Sequence, residues 1–467
     1  MNRLAQNQHL TRALACAGAA VIVALAVLRL LRYYPSDLDA SGNSDAFHTY
    51  LPAARKWLAH GWAFLLNDPF STRVAPLGYL WPALWQGDVT AIRWANGGLF
   101  VASALMMAQA ARRLGGWGGA TVAVLLLIYH PGIADYMPKI LTEPLYLFGL
   151  MLFSWSLIEI LLQGPDSPRR WLILGGIGLT ITLLTRPVLQ LMVLGAIVLL
   201  ALATNLPRLR DWRHSLRGML LMLVAACLLP LAVVLKNGVQ FDLWAMGTDS
   251  GAGLYYGMEP SFLGFEYDIG EAVRAADPAT GREPLDRTAD RIERATAIDV
   301  LRNTRAADLM SFFAVKLRSW LLYSAPELGF DSSLRKFRLF EWLCIGAAAF
   351  NWLLRRRQAT LRAPPHDHRK PVVLTLLGFG TALMVIQLLP VLYNTRYNAG
   401  FLEPWLLLLT GASVGALLPA WRTTHGWHWT AARWRQLALV LVLMAMAVTL
   451  TKRARRHEAL TIDPLRL

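Results

Sequence analysis

Residues 171–204 read WLILGGIGLTITLLTRPVLQLMVLGAIVLLALAT, and Arg186 is the one charged residue among them. Apolar runs of this length match the thickness of a bilayer core, where charged side chains are costly. The stretch therefore predicts two membrane-spanning helices, residues 171–185 and 188–204, separated by Arg186-Pro187. Because the break is so short, we expect a tight hairpin at the membrane surface.

The whole chain shares this apolar character. It has 467 residues, of which 55% are hydrophobic and 16% are charged, and its mean hydropathy is +0.39. Soluble proteins carry about 25% charged residues, so the composition excludes an ordinary soluble protein. The sequence predicts an all-α polytopic membrane protein with about eleven transmembrane helices and two large outer helical loops. The remaining predicted spans cover residues 12–31, 94–111, 117–133, 144–162, 218–235, 340–354, 372–392, 402–418 and 437–450.

The formal net charge of +16 first suggests nucleic-acid binding. The basic residues, however, lie in short clusters between the apolar runs, as at 112–113, 169–170, 208–217 and 355–357. This is the positive-inside pattern, so the charge indicates topology and contact with anionic lipids, and no nucleic-acid partner is expected. The amino terminus is then expected to be cytoplasmic, and successive loops alternate between the two sides of the membrane. Eleven spans place the basic tail on the outer side, which is the one poor fit to the positive-inside pattern.

The spans and the polar segments divide the chain into four parts. Residues 1–235 form a transmembrane region that includes the first outer loop, residues 32–92. Residues 236–336 form a large outer loop, residues 337–451 the C-terminal transmembrane helices, and residues 452–467 a tail. The two halves show no inverted repeat of the kind that many transporters use.

A polar segment in the first outer loop reads SDAFHTYLPAARKWLAHG over residues 44–61. Its apolar residues recur at helical spacing and predict an amphipathic helix in the bilayer interface. The helix begins at a carboxylate, Asp45. The apolar stripe consists of Phe47, Tyr50, Leu51, Ala54, Trp57 and Leu58.

The predicted topology collects the unusual polar residues on the outer face. Ionisable residues at the edges of apolar spans are costly, so they indicate function. Basic groups there could neutralise a phosphate, and a carboxylate could act as general base on an acceptor hydroxyl. The residues concerned are Asp45, His48, Lys139, Glu143, Arg186, Tyr255, Tyr256, Glu259, Arg396, Tyr397 and Glu403.

Four motifs occur in an order typical of one group of membrane enzymes. They are Asp45 with Tyr50, Ala54 and Gly61; Leu141-Thr-Glu-Pro-Leu-Tyr146; the stretch from Arg170 to Pro187; and Leu254-Tyr-Tyr-Gly257 followed by Arg396-Tyr397 and Glu403-Pro404. Over about residues 10–420 the chain resembles the GT-C glycosyltransferases of the protein O-mannosyltransferase and aminoarabinose-transferase type. Many family members carry a second acidic residue directly after the loop-one aspartate, and here that position is Ala46.

The resemblance implies a GT-C-like fold and a sugar transfer that inverts the anomeric carbon. The implied donor is a polyprenyl-phosphate sugar, and the acceptor is a glycan, lipid or protein of the cell envelope. The implied location is the outer, periplasmic face of a bacterial inner membrane. No metal ligands are assigned, and a divalent cation is left open as a cofactor.

The resemblance also implies roles for individual residues. Asp45 is expected to be catalytic, receiving the acceptor proton or orienting the acceptor. The donor phosphate is expected to bind Arg186, Arg396 and Lys139. The expected substrate contacts are Glu143, Tyr255, Tyr256, Tyr397 and His48.

Simpler interpretations stand beside these roles. Asp45 and Glu143 each lie at a helix start, where a carboxylate favours the helix dipole in any protein. Arg186 could instead punctuate the hairpin and reach the lipid headgroups, and Tyr255 and Tyr256 could be interfacial aromatics. A transporter or flippase of lipid-linked sugars is the first alternative function. An acyl- or phosphotransferase of envelope lipids is the second.

Overall fold

The computed structural model describes residues 2–33, 45–164, 167–207, 212–258, 287–323, 332–358, 369–391, 393 and 397–417. Within these ranges the chain forms helices and no β-strand, which confirms the all-α class. The predicted residues Arg396 and Glu259, the predicted span 437–450 and the tail lie outside the described residues.

The amino-terminal half of the described chain contains nine α-helices. They are α1 (Asn2–Tyr33), α2 (Leu51–His60), α3 (Trp62–Asn67), α4 (Leu77–Leu84), α5 (Val89–Tyr129), α6 (Pro131–Tyr136), α7 (Glu143–Gln163), α8 (Arg169–Thr185) and α9 (Gln190–Ala203). A π-helical turn, Ala46–Tyr50, precedes α2, and short 3-10 turns cover Pro69–Thr72 and Pro187–Leu189.

The carboxyl-terminal half continues in the same way. Its described helices are α10 (Arg213–Phe241), α11 (Asp249–Met258), α12 (Arg287–Asn303), α13 (Ala306–Leu322), α14 (Ser332–Gln358), α15 (Arg369–Leu388) and α16 (Glu403–Leu417). A second π-helical turn, Asn398–Leu402, leads directly into α16.

The chain is a multi-pass membrane protein. By length and composition, four segments of the described chain can cross a membrane, namely α7, α10, α15 and Asn398–Leu417. The bent pair formed by α8 and α9 raises the number to five if it counts as one span. Each predicted span up to residue 418 falls on a helix, but the predicted number of eleven is larger than this criterion supports in the described residues.

The break between α8 and α9 differs from the prediction. The two helices are bent by 109° and do not fold back antiparallel, so the predicted tight hairpin is wrong. Arg186 is the one residue between α8 and the 3-10 turn, with an extended backbone at φ −148° and ψ 124°. This one extended residue joins two helices whose directions differ by 109°.

The predicted span 94–111 and residues 117–129 of the next predicted span belong to one helical element, α5, which kinks at Gly116, while residues 131–133 begin α6. Gly116 has φ +68° and ψ −165°, a conformation that strains residues with a Cβ atom. Next to the kink, α5 packs backbone to backbone against α16. A Cβ atom added at Gly119 would lie 2.6 Å from the carbonyl oxygen of Gly411.

Contacts between the helices sort their ends into two groups. At one end, Glu143 pairs with Arg186, His130 lies against Glu403, and the Gln387 side chain accepts a hydrogen bond from the backbone of α9. We call it the His130 end. The 21 residues of α7 rise about 31 Å from it, close to the thickness of a bilayer core.

At the other end of the bundle, Arg113 pairs with Glu159 near the last turn of α7. Arg369, the first residue of α15, donates to the carbonyl oxygen of Leu162. We call it the Arg113 end. Its basic residues lead us to predict, from the positive-inside rule, that it faces the cytoplasm.

Residues 46–54 pack on the segment that connects α6 to α7. Tyr50, Ala53 and Ala54 cluster with Leu141, while Ala46 and Leu51 cluster with Ile140. Phe47 and Leu58, both on the predicted apolar stripe, are each 42% exposed. Apolar side chains exposed on this segment are what a position in the bilayer interface requires.

Candidate functional site

An ion pair lies at the His130 end, where α7 begins and α8 ends. The Nη2 atom of Arg186 lies 3.0 Å from the Oε1 atom of Glu143, and its Nε donates to the Thr142 hydroxyl at 2.8 Å. The Glu143 side chain is 1% exposed and the Arg186 side chain 12%. Two hydrogen bonds to partners on another helix therefore hold the guanidinium in one orientation.

Two aromatic rings cover the same guanidinium. The Arg186 Cζ atom lies 5.0 Å from the Tyr397 ring centroid and 5.5 Å from that of Phe401. These two rings stack on each other at 5.4 Å, and Tyr146 packs edge-on against Phe401 at 4.9 Å. These cation–π contacts add to the ion pair. The guanidinium of Arg186 is therefore held by the hydrogen bonds that its N–H groups donate and by the rings on its flat face. We call Thr142, Glu143, Arg186, Tyr397 and Phe401 the Arg186 site.

A second polar cluster lies deeper at the same end, centred on Glu403 at the start of α16. The Tyr323 hydroxyl donates to Glu403 at 3.0 Å, and the Nε2 atom of His130 lies 2.9 Å from the other carboxylate oxygen. Arg338 donates to Glu403, and its Nε atom lies 3.0 Å from a carboxyl oxygen of Glu341. The side chains of His130, Arg338, Glu341 and Glu403 are fully buried.

Arg338 and the side-chain amide of Asn398 connect this cluster to the backbone of α13. Arg338 and Asn398 both donate to the carbonyl oxygen of Trp320, at 2.7 and 3.0 Å, and Arg338 also donates to the Asn398 side chain at 2.9 Å. Together with His130, Tyr323, Glu341 and Glu403 these residues form the Glu403 network. Asn398 and Phe401 belong to one π-helical turn, which joins the network to the Arg186 site.

Lys316 joins the large loop to the turn before α16. Its ammonium is fully buried and donates to the carbonyl oxygens of Gly257 at 2.5 Å and Val391 at 2.7 Å. Burial lowers the pKa of Lys316 to about 7. The side chain therefore ties α11 and α13 to the segment that carries Tyr397.

Asp45 lies directly before the π-helical turn of the first loop. Its backbone is already helical, at φ −64° and ψ −40°, and its side chain makes no capping hydrogen bond. Asp45 therefore lies at a helix start, as the dipole interpretation expects, without a capping hydrogen bond. Its neighbour Ala46 is fully buried against Ile140, two residues from Thr142 of the Arg186 site.

The structure places the predicted site residues in different parts of the fold. The structure brings Glu143, Arg186 and Tyr397 into direct contact. Lys139 lies in the segment before α7, with its ammonium 5.3 Å from the Tyr136 ring centroid, and His48 is exposed on the π-helical turn.

The tyrosine pair of the large loop lies in α11. Their ring centroids are 5.1 Å apart, and Tyr256 is buried while Tyr255 is half-buried. α11 packs on α12 through Asp290, which accepts from the backbone of Gly251 at 2.6 Å. Burial raises the pKa of Asp290 above its usual value.

A cavity of about 10 Å³, the size of one water molecule, is lined by Tyr50, Trp81, Ile140 and Thr142 among others. A sugar does not fit in it. Within the described residues no group of three His, Cys, Asp or Glu side chains is arranged to hold a metal ion.

Sequence reasoning missed most of the Glu403 network. His130, Tyr323, Arg338 and Glu341 were not predicted, although Glu403 was noted at a span end. One signal was present, since Arg338 and Glu341 are three residues apart at the edge of a predicted span and so share a helix face. Charged pairs at such an edge indicate a buried polar contact.

Two solved structures are similar to this chain. The crystal structure of ArnT from Cupriavidus metallidurans in the apo state has a TM-score of 0.32 and 15% sequence identity, covering 86% of this chain and 77% of that chain. The structure of ArnT from Cupriavidus metallidurans bound to undecaprenyl phosphate has a TM-score of 0.34 and 15% identity, covering 86% and 78%. No protein-family model matches the chain, and no curated protein matches it in sequence.

ArnT is a GT-C aminoarabinose transferase, which is the type that the sequence motifs resemble.

Proposed function

We propose that the chain is an inverting glycosyltransferase that moves a sugar from a polyprenyl-phosphate donor to an envelope acceptor. The observation that carries the proposal is Arg186, whose guanidinium is fixed at a membrane-boundary helix end by Glu143, Thr142 and two aromatic rings. Such a fixed guanidinium suits a phosphate that is anchored in the bilayer by a lipid chain.

The proposed reaction needs one base and one site for the leaving group. Asp45 takes the proton of the acceptor hydroxyl, and the hydroxyl oxygen attacks the anomeric carbon on the face opposite the phosphate. The bond between the anomeric carbon and the phosphate oxygen breaks, so the configuration inverts. Polyprenyl phosphate leaves as a monoester with one more negative charge, which Arg186 stabilises.

The contacts refine the proposed roles of the charged residues. Because Glu143 is buried against Arg186, we assign it to positioning the guanidinium rather than to direct sugar contact. The ion pair is neutral as a whole, so a bound phosphate needs further positive charge. Lys139, close to Thr142 in the chain, and Arg396, next to Tyr397, are our candidates for this charge.

Tyr397, another of the predicted substrate contacts, lies with its ring over the Arg186 guanidinium. We propose that Tyr397 contacts the sugar or phosphate directly. Tyr255, Tyr256 and His48 stay proposals for the acceptor side. A divalent cation also stays a proposal for the cofactor, as do the periplasmic orientation and the inner-membrane location.

A transporter of lipid-linked sugars would place its ionisable groups near mid-membrane. The Arg186 site and the Glu403 network instead lie at the ends of α7, α8 and α16. A polar site at the membrane boundary favours chemistry on a donor whose headgroup reaches the interface.

The test uses the full chain, purified and reconstituted in vesicles, with radiolabelled polyprenyl-phosphate sugars and candidate envelope acceptors. Asp45→Asn is expected to lower kcat by at least about 100-fold, as loss of a general base does. Arg186→Gln is expected to lower kcat by about 100-fold through lost stabilisation of the leaving phosphate.

Asp88→Asn is the matched control. Asp88 is a carboxylate of the same loop that caps α5 by accepting from the backbone of Ala91, and asparagine caps equally well. Its activity should equal that of the wild type. Absence of donor consumption by the wild type, or full activity of Asp45→Asn, would overturn the proposal.

A further inference from the structure

A cleft opens at the Arg113 end, at the far side of the bundle from the Arg186 site. It lies between the kinked part of α5, the last turn of α7 and the first turn of α15, and its volume is about 360 Å³. Arg112, Arg113, Leu162, Arg369 and Lys370 line it. Four of these five residues are cations.

Most of this positive charge is not balanced by the described neighbours. Glu159 pairs with Arg113 at 2.9 Å and is also held by Gln163, so one carboxylate faces four cations. Arg369 donates to the carbonyl oxygen of Leu162 at 3.0 Å, and Arg112 bonds to the neutral side chain of Gln109. These contacts orient the guanidinium groups without neutralising them.

The position of the cleft matches the depth of lipid headgroups. It lies where two membrane-spanning helices, α7 and α15, end and begin. Tryptophans of the kind that favour the membrane interface flank it, with Arg112 over the Trp117 ring at 5.2 Å and Arg369 over the Trp212 ring at 5.6 Å. Leu162 gives the wall an apolar part next to the cations.

We propose that this cleft is a binding site for the phosphate of an anionic phospholipid headgroup in the leaflet at the Arg113 end. The guanidinium group of an arginine can bind two oxygens of one phosphate at once, and basic pockets between membrane helices attract anionic headgroups. The volume is that of a small-ligand site. Free phosphate shares this chemistry, and the experiment separates the two sources.

The experiment titrates the full chain in detergent with short-chain phosphatidylglycerol, short-chain phosphatidylcholine or inorganic phosphate at one ionic strength. Native mass spectrometry reads stoichiometry and affinity. The wild type is expected to bind one phosphatidylglycerol at the cleft and phosphatidylcholine at least about tenfold more weakly. Saturation by inorganic phosphate without binding of phosphatidylglycerol would show that the ligand is free phosphate, and it would overturn the proposal of a lipid site.

Two double variants assign the binding to the cleft. Arg112→Gln with Lys370→Gln removes two exposed cations of the lining, and phosphatidylglycerol should bind about 30-fold more weakly. Arg169→Gln with Arg170→Gln removes two exposed cations at the start of α8 that are not in the lining, and affinity should change by less than about threefold. Equal affinities of the two double variants would overturn the proposal, provided that their thermal midpoints match the wild type.

Discussion

The Glu403 network contains one arginine and two carboxyl groups, all fully buried. The Nδ1 atom of His130 accepts a hydrogen bond from the backbone of Ile133 at 3.2 Å, and its Nε2 atom faces Glu403, so Arg338 is the one arginine beside the two carboxyl groups. Arg338 can therefore balance one carboxylate. Glu403 has three donors around it, from Tyr323, His130 and Arg338, so we expect the negative charge on Glu403 and a neutral Glu341.

This asymmetry predicts different effects for two similar substitutions. Glu341→Gln replaces a neutral acid by a neutral amide of the same shape and should cost less than about 1 kcal/mol of unfolding free energy. Glu403→Gln weakens hydrogen bonds to a charged acceptor and should cost about 2 kcal/mol, because Glu341 can then carry the charge. The double variant leaves Arg338 buried without a counter-charge and should cost about 5 kcal/mol.

The assay is a denaturant titration of the four purified proteins in one detergent, followed by circular dichroism, with linear extrapolation of the free energy. The expected coupling between the two substitutions is about 2 kcal/mol, the excess of the double variant over the sum of the singles. Equal costs for Glu341→Gln and Glu403→Gln, or additive costs in the double variant, would refute the charge assignment.

Two further predictions concern other parts of the fold. Because burial lowers the pKa of Lys316 to about 7, the unfolded chain binds more protons than the folded chain between about pH 7 and pH 10. Wild-type stability should therefore rise with pH across this window, and Lys316→Met should lack that rise; an identical pH slope of the thermal midpoint in both proteins would contradict it. Gly119→Ala should cost about 1–3 kcal/mol, since its Cβ atom meets the Gly411 carbonyl oxygen, whereas Gly98→Ala on the same helix has open space and should gain up to about 1 kcal/mol. Thermal midpoints compare the pair, and a loss of similar size at both glycines would show that close packing against α16 is not the cause.

The helical membrane class was predictable from the order of the residues. Long apolar runs such as 171–204 must satisfy their own backbone hydrogen bonds in a bilayer, and within one run only a helix does so. The same local reasoning placed Glu143 and Arg186 at helix ends, because charges are costly within such runs. These inferences need only neighbours in the chain.

Local patterns were less reliable where the geometry of a helix changed. The spacing of residues 47–58 predicted one regular helix, but residues 46–50 form a π-helical turn before α2. Likewise, the break at Arg186 became a bend of 109° and not a hairpin. Both depend on a few backbone dihedrals that residue type alone does not specify.

Only the packed fold shows which residues that are distant in the sequence pair with each other. Arg186 meets Glu143 across 43 positions, and Arg338 meets Glu403 across 65. Many cations and carboxylates in the sequence could form such pairs with equal chemistry. Which of them meet depends on how the helices pack, because a buried charge is stable only beside the partner that the packing brings to it.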